Sequence, residues 1–498
     1  MKRRITLITV LASMLLASLA SCGGGSAQPE APQNPEAGTE NAGTEAPETE
    51  ALTDGIPDTD MGGFTLKVLN LNAEWYTWAN QDVVTEADGD ILNDAIYNRN
   101  ARLNERFNAN ITVDYADTSD GVMRAIKTNV MAGDPVFDVY TCNEGELKNY
   151  LPYALDWNLI PNLRLKEAWW NPNATSIYVM DGKQTALAGN MTLSAVSRSV
   201  CMVFNKNIWK TCGDPDINLY SLVENNEWTV DKFLEVASLV KKDLNGDGVM
   251  DVNDLYGLNM GRGFKGYVAS FLTGSGMHFT ETDSTGAQVF TLHQNEKALN
   301  LVIKLVDALG QEGYYYNEDT SCHSFAPSDF FKNGHALFTQ GVPHDIYKLR
   351  DMNDDIGILP MPKHDAEQKQ YYSAAWGGAV WTLAKTFDLE KDGSNLGYLL
   401  DAMAFDTYYN VVPVYKEVAL KTKTARDNES EGMLDIIFSS ISFDYGTNIM
   451  YDAVYASTFL ESIWKKKSSD VIVSSIEKAL NKIEKEDKLL AEAVAQLG

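Results

Sequence analysis

Phe64-Thr65-Leu66-Lys67-Val68 is the stretch from which the fold is read. Phe64, Leu66 and Val68 alternate with Thr65 and Lys67, the period of two expected of a strand with one buried face. Asp90 or Asn93 then caps a helix whose Leu92, Ile96, Leu103 and Phe107 repeat at spacings of 4, 7 and 4. Ile111, Val113 and Tyr115 alternate as a second strand, a helix over 122–131 follows, and an apolar run at 136–140 is a third strand. Strand, helix, strand, helix, strand predicts an α/β fold with a parallel sheet and right-handed crossovers. In open sheets of this kind ligands sit beyond the carboxyl ends of the strands. That rule selects residues 72–78, with Trp75 and Trp78, and residues 141–144, with Asn143 and Glu144.

Upstream of Phe64 the composition changes. Lys2, Arg3 and Arg4 form a basic head, residues 5–19 are an uncharged apolar run, and Leu19-Ala20-Ser21-Cys22 follows. Basic head, apolar core and small residues predict a secretory signal over 1–22. The run is too short for a spanning helix. Residues 23–63 are built from Gly, Ala, Pro, Glu, Thr and Asn, with no aromatic before Phe64, and read as a disordered linker. Leu-Ala-Ser-Cys resembles the bacterial lipoprotein signal. That resemblance implies a lipid on the Cys22 thiol and an extracytoplasmic chain anchored to the cell membrane without crossing it.

The 498 residues suffice for two or three domains, and 44% hydrophobic content suffices for a large core. Lys and Arg number 41 against 69 Asp and Glu, a net charge of −28. Such a surface repels phosphate backbones, so nucleic acid is excluded as a partner, while neutral or cationic ligands suit it. There is no Gly-Lys-Ser/Thr phosphate loop and no Gly-x-Ser-x-Gly elbow; Gly274-Ser275-Gly276 is a turn. His323, His335 and His344 lack ligand spacing on a helix. No CxxC occurs, so Cys142, Cys201, Cys212 and Cys322 are expected as free thiols, with Cys201–Cys212 the one pairing to check.

A run beginning at Asp243 carries oxygen side chains at positions 1, 3, 5, 9 and 12, with Gly246 at position 6. Calcium takes six to eight oxygens, and glycine at position 6 allows the sharp turn. Asp243, Asn245, Asp247 and Asp254 would ligate directly, Val249 through its carbonyl and Asp251 through water. Position 12 is Asp where an EF-hand has Glu, and 255–258 reads as a strand, so this is a single structural clip or a metal-free polar turn.

Several segments carry a family resemblance. Ser199–Phe204 runs into Asn205-Lys206-Asn207, and Ile208–Cys212 is helical before Gly213. Glu227-Trp228-Thr229-Val230-Asp231-Lys232-Phe233 opens a helix with Thr229 as cap. Phe331-Lys332-Asn333-Gly334-His335-Ala336, then Gly357-Ile358-Leu359-Pro360-Met361-Pro362, then Trp376-Gly377-Gly378 follow in order. Together they resemble the extracellular solute-binding proteins of ABC importers, sugar-binding branch. The resemblance implies a two-lobed periplasmic-binding-protein-like fold of type II with three hinge crossings, near 186–192, 336–340 and 376–380. It divides the chain into a first lobe of 64–188 and 337–378 and a second of 189–336 and 379–498. The tail, with Ile472, Ile476, Leu480, Ile483, Leu490 and Val494, is a long amphipathic helix.

Trp75, Trp78, Phe264, Tyr267, Trp376, Tyr445 and Tyr451 fall in loops or just after strand-like runs. Flat rings suit the apolar face of a sugar, although core packing is the commoner role for any one of them taken singly. Trp376 beside Gly377 and Gly378 is the foremost candidate, because glycines let a ligand approach the backbone. The expected protein is thus a monomeric, lipid-anchored binder that closes on an oligosaccharide and passes it, unaltered, to ABC permease subunits. A surface glycoside hydrolase, a static glycan-adhesion module, or a binder of peptides or other small solutes are the alternatives.

Overall fold

The computed structural model describes residues 53–73, 82–260, 263–284, 286–317, 327–346, 349, 351–421, 428–450 and 472–498. β1 (Phe64–Leu71), α1 (Ile91–Phe107), β2 (Ala109–Ala116), α2 (Ser119–Ala132) and β3 (Val139–Asn143) follow in the predicted order. Asp90 caps α1 by accepting from Leu92 N and Asn93 N. Thr118 caps α2 through Gly121 N, and Gly133 ends it in the left-handed region at φ 67°. β3 begins at Val139 and not at 136; Val136 is exposed in the loop before it. β4 (Ala154–Leu155) comes next.

A second run of elements starts at β5 (Cys201–Asn205), which leads into α3 (Lys206–Cys212). The Asn205 side chain accepts from Ile208 N at 2.9 Å, so the strand's last residue caps the helix. α4 (Val230–Leu239) is capped as predicted, Thr229 Oγ1 accepting from Lys232 N at 3.2 Å. There follow β6 (Tyr256–Met260), α5 (Gly263–Gly274), α6 (Glu296–Leu309), β7 (Tyr315–Asn317), β8 (Ala336–Gly341) and β9 (Ile356–Leu359). The chain continues through β10 (Ser373–Ala374), β11 (Ala379–Ala384), α7 (Leu389–Asp406), α8 (Asn428–Ser439), β12 (Ile441–Ser442) and α9 (Ile472–Val494). Among the described residues no helix is long and apolar enough to cross a membrane.

Ten of these strands assemble into two five-stranded sheets, one per lobe. The first has the order β2-β1-β3-β11-β4. β1 runs parallel to β2 and β3, and β11 lies antiparallel between β3 and β4. The second has the order β7-β6-β8-β5-β9, with β6 parallel to β7 and β8, and β5 antiparallel to β8 and β9.

This pairing corrects the expected lobe division at three strands. β9, assigned to the first lobe, is an edge strand of the second sheet. β8, assigned to the first lobe and marked as a crossing at 336–340, is an inner strand of the second sheet. β11, assigned to the second lobe, is an inner strand of the first. All six residues of β8 and of β11 are buried. An unbroken apolar run announces an inner strand but does not name its sheet. The tail also departs from the expected division. α9 packs against the first lobe: Glu486 pairs with Lys148, and Asp156 N donates to the Gly498 carbonyl at 2.9 Å.

Residues 188–200 carry the chain from the first sheet to the second. At one end Leu187 exchanges both backbone hydrogen bonds with Trp381 of β11, each 2.9 Å. At the other end Val200 N donates to the Ala374 carbonyl at 2.6 Å, and Ser199 bridges Ala375. Residues 375–378 return to β11. The two passages therefore run side by side, and β10 pairs in parallel with β12 beside them.

Candidate functional site

The junction between the sheets is organised by Glu144, the residue after β3. Its placement follows from the parallel sheet, which brings the carboxyl end of β3 to the lobe boundary. The side chain is buried. Oε1 accepts from Gly377 N at 2.6 Å, and Oε2 accepts from Tyr178 OH and Asn448 Nδ2, each at 3.0 Å. Burial pushes the carboxyl up to about 7, against the pull of these donors. Gly377 presents its amide from φ 71°, a conformation that a side chain strains. A Cβ on Gly378 would stand 3.3 Å from Glu144 Oε2, so this pair of glycines lets the second passage lie against the carboxylate.

Asn448 extends the network. Its Nδ2 also donates to the Ala375 carbonyl at 2.7 Å, and its Oδ1 accepts from Asp444 N at 3.0 Å. Asp444 caps the short helix Tyr445–Asn448, its Oδ1 accepting from Thr447 N. Asp444 Oδ2 accepts from Phe279 N at 2.7 Å and Thr280 N at 3.3 Å, both beyond the end of α5 in the second lobe. Residues 444–448 thus touch one lobe through Asp444 and the other through Asn448.

Three further buried groups, Arg198, Asp82 and Ser194, fasten the first passage. Arg198 donates from Nε to the Trp376 carbonyl at 3.1 Å and pairs at 3.5 Å with Asp345, also buried. Asp82 Oδ1 accepts from Leu193 N at 2.8 Å, and burial raises that carboxyl to about 7. Arg99 Nη2 donates to the Asp82 carbonyl at 2.7 Å and Nη1 to Thr407 Oγ1 at 2.8 Å; burial lowers its guanidinium to about 10. Ser194 Oγ accepts from Ala379 N at 3.0 Å, joining the first passage to β11. Between Glu144, Tyr178, Gly189, Ser194, Gly378 and Phe443 lies a small cavity with room for about one water.

The sequence-predicted contacts fall in different places. Glu144 lies at the centre of this junction, and Asn143 beside it accepts from Gly145 N at 3.0 Å. The ring of Trp376 is not presented to an opening: it is buried in the apolar core, since only the backbone of this segment meets the neighbouring passage. Tyr445 is buried too, its hydroxyl donating to Asp487 of α9 at 3.2 Å. Phe264 and Tyr267 lie on α5. Trp75, Trp78, Tyr451, Cys22 and Cys322 lie outside the described residues. Cys142, Cys201 and Cys212 are free thiols, so the pairing of Cys201 with Cys212 is absent.

The loop at 243–254 closes on itself. Asp243 accepts from Gly246 N at 2.6 Å and Gly248 N at 2.8 Å, Asn245 from Asp247 N at 2.9 Å, and Asp247 from Val249 N at 2.8 Å. The buried Asp254 accepts from Leu244 N at 2.9 Å and Asp251 N at 2.7 Å, and these two donors hold its carboxyl below the usual range. Asp251 accepts from Asn253 N at 2.8 Å. Among the described residues no three His, Cys, Asp or Glu side chains are grouped so as to hold a metal ion.

Tyr178, Asn448, Asp82, Arg99 and Arg198 are not marked out by any local sequence pattern of a site. One of them leaves a signal: Arg99 falls between Ile96 and Leu103 on the apolar face of α1, where a cation needs a buried partner.

Residues 72–319 match the family of bacterial extracellular solute-binding proteins. Three solved structures share the architecture. The sugar-binding protein MalE of Xanthomonas citri superposes with a TM-score of 0.55 at 11% identity, over 86% of this chain and 98% of that one. A cyclo/maltodextrin-binding protein complexed with maltotetraose gives 0.54 at 13%, over 88% and 98%. The cyclic α-maltosyl-1,6-maltose binding protein of Arthrobacter globiformis gives 0.53 at 14%, over 86% and 99%. No curated protein is a significant match in sequence. The two-lobed fold is therefore that of the maltodextrin-binding proteins.

Proposed function

We propose that this chain, placed among the bacterial extracellular solute-binding proteins by residues 72–319, captures a neutral oligosaccharide between its lobes and hands it to the permease of an ABC importer. The observation that carries this reading is the junction itself. Two sheets meet at side-by-side passages, and a buried carboxylate gathers donors from the second passage and from the turn at 444–448, which is the arrangement of a molecule that closes about a hinge. The solute would bind across the cleft and shift an existing equilibrium toward the closed form. The net charge of −28 favours a neutral solute over an anionic one. The likeness to proteins that bind maltotetraose and a cyclic maltosyl-maltose supports a glucan-type oligosaccharide. Binding requires no covalent step, so the solute leaves unchanged.

In the same reading Cys22 carries the lipid that keeps a monomer at the outer face of the membrane, and 23–53 is its tether. Residues 54–63, expected as linker, instead pack on the first lobe through Ile56, Met61 and the Asp54–Arg106 pair. Calcium at Asp243, Asn245, Asp247, Val249, Asp251 and Asp254 would replace the loop's internal hydrogen bonds as a structural clip.

A thermal-shift screen tests the proposal. Linear and cyclic maltodextrins should raise the melting temperature, while amino acids and peptides leave it in place. A ligand at a hundred times its Kd adds about 2.7 kcal/mol to folding stability. A response to peptides alone would overturn the choice of solute. Release of reducing ends from the bound sugar would overturn the claim that it is passed on unaltered.

A further inference from the structure

The turn at 444–448 is fixed at both ends by carboxylates, one serving each lobe. Asp444 holds the second lobe through Phe279 N and Thr280 N; Glu144, at the end of β3, holds the turn through Asn448. We propose that this turn is a clasp between the lobes and that protonation of Glu144 sets how firmly the clasp holds. The inference rests on the two-lobed hinge reading and on no particular solute.

The physical argument concerns a charge without water. Ionised Glu144 accepts from Gly377 N, Tyr178 OH and Asn448 Nδ2, yet burial outweighs these donors and the proton is held up to about pH 7. Parting the lobes would hydrate the carboxylate and return it toward its ordinary range. Alkaline solution then favours the parted form, and acid favours the clasped one. The groups facing Glu144 do not cancel this. Tyr178 faces the carboxyl as a hydroxyl donor to Oε2. The neighbouring Cys142 thiol is pushed up by burial and, to a lesser degree, by Glu146 and Glu144, so it adds no charge beside the carboxyl. The Arg198–Asp345 pair beside Gly377 carries no net charge. Tyr445 on the clasp itself donates to Asp487, and Asp444 is faced by His278 at 3.4 Å, with Glu281 nearby. Asp444 raises His278 above its usual value, so protonation at that end also favours the clasp.

Small-angle scattering of the full chain without ligand, between pH 5 and pH 9, reads the device apart from any binding screen. The wild type should expand as pH rises, with a midpoint near 7. Glu144→Gln, uncharged throughout, should lose that transition and keep the compact acid value. Asn448→Ala leaves Glu144 its Gly377 and Tyr178 donors but cuts the clasp, and should be expanded at every pH. It also serves if the glutamine variant does not fold. His278→Ala should keep the midpoint near 7. An unchanging wild type, a glutamine variant that titrates like wild type, a compact Asn448→Ala protein, or loss of the transition in His278→Ala would each overturn the proposal.

Discussion

Asn448 Nδ2 donates to Glu144 Oε2 at 3.0 Å across 304 positions of sequence. The same nitrogen donates to the Ala375 carbonyl, and the same side chain accepts from Asp444 N. One amide therefore serves three backbone or side-chain groups, all buried. Asn448→Ala should lower the unfolding free energy by about 3 kcal/mol, the scale of losing a hydrogen bond to a charged group and stranding its neighbours. Urea denaturation at pH 7.5 measures it. A change below about 1 kcal/mol would show that water or a neighbour takes over the role.

Asp82 gives folding stability a dependence on pH. Its carboxyl rises from an unfolded value of 3.8 to about 7 in the fold. An acid whose folded value is raised binds its proton more tightly when folded. Stability is therefore greatest below the unfolded value and declines as pH rises through about 7. The span amounts to as much as about 4 kcal/mol, because each tenfold gain in proton affinity is worth about 1.36 kcal/mol. Asp82→Asn keeps an oxygen for Leu193 N while removing the titration. Its stability relative to wild type should improve between pH 5 and pH 8, measured by denaturant midpoints. A constant difference would mean that Asp82 is charged at both values.

The leading run from β1 to β3 is legible because its periods are regular and its caps are strong. Asp90, Thr118 and Thr229 each stand where a helix begins and bond the expected amides. The division into lobes is not legible. β8 and β11 are both six-residue buried runs, and a buried strand looks alike in either sheet. The site is half legible. Beyond-the-strand logic reaches Asn143 and Glu144, but not the partners that define Glu144. Tyr178 and Asn448 converge on it from 34 and 304 positions away, a relation no local pattern encodes. Trp376 misleads for a different reason. A ring beside two glycines suits both a ligand platform and a core, and here the glycines serve Glu144 while the ring packs inside.

Gly377 and Gly432 make a pair of opposite sign. Gly377 sits at φ 71° and supplies an amide to Glu144. Gly377→Ala should cost about 1–2 kcal/mol in strain alone. Gly432 lies inside α8, where an added Cβ meets nothing within 4 Å. Gly432→Ala should stabilise by roughly 0.5–1 kcal/mol through helix propensity. Thermal melts of the two variants read both effects. Equal shifts in one direction would contradict the backbone assignment at one of the two sites.

Thiol chemistry follows from burial. Cys142 and Cys201 are buried, and desolvation raises both thiols well above their usual range. Cys212 is partly exposed. An aromatic disulfide reagent at pH 8 should leave Cys142 and Cys201 unmodified in the folded chain and modify both in denaturant, as peptide mapping would show. Rapid native labelling of Cys142, which touches the Glu144 neighbourhood, would mean that the lobe junction opens far more often than its hydrogen bonding allows.

The loop at 243–254 offers the sharpest choice between two physical states. Held by its own Asx turns, it needs no ion: Asp243, Asn245 and Asp247 each satisfy an amide two to five residues on. Holding calcium, it would turn those oxygens inward and gain charge neutralisation for Asp243, Asp247 and Asp254. We expect calcium to raise the melting temperature after exhaustive dialysis and a chelator to reverse it. Asp243→Asn should weaken the response at least tenfold in calcium concentration, because a ligand charge is lost. Magnesium should not substitute, since it demands a tighter octahedral shell. A melting temperature indifferent to calcium, chelator and the variant alike would assign the loop to hydrogen bonds alone.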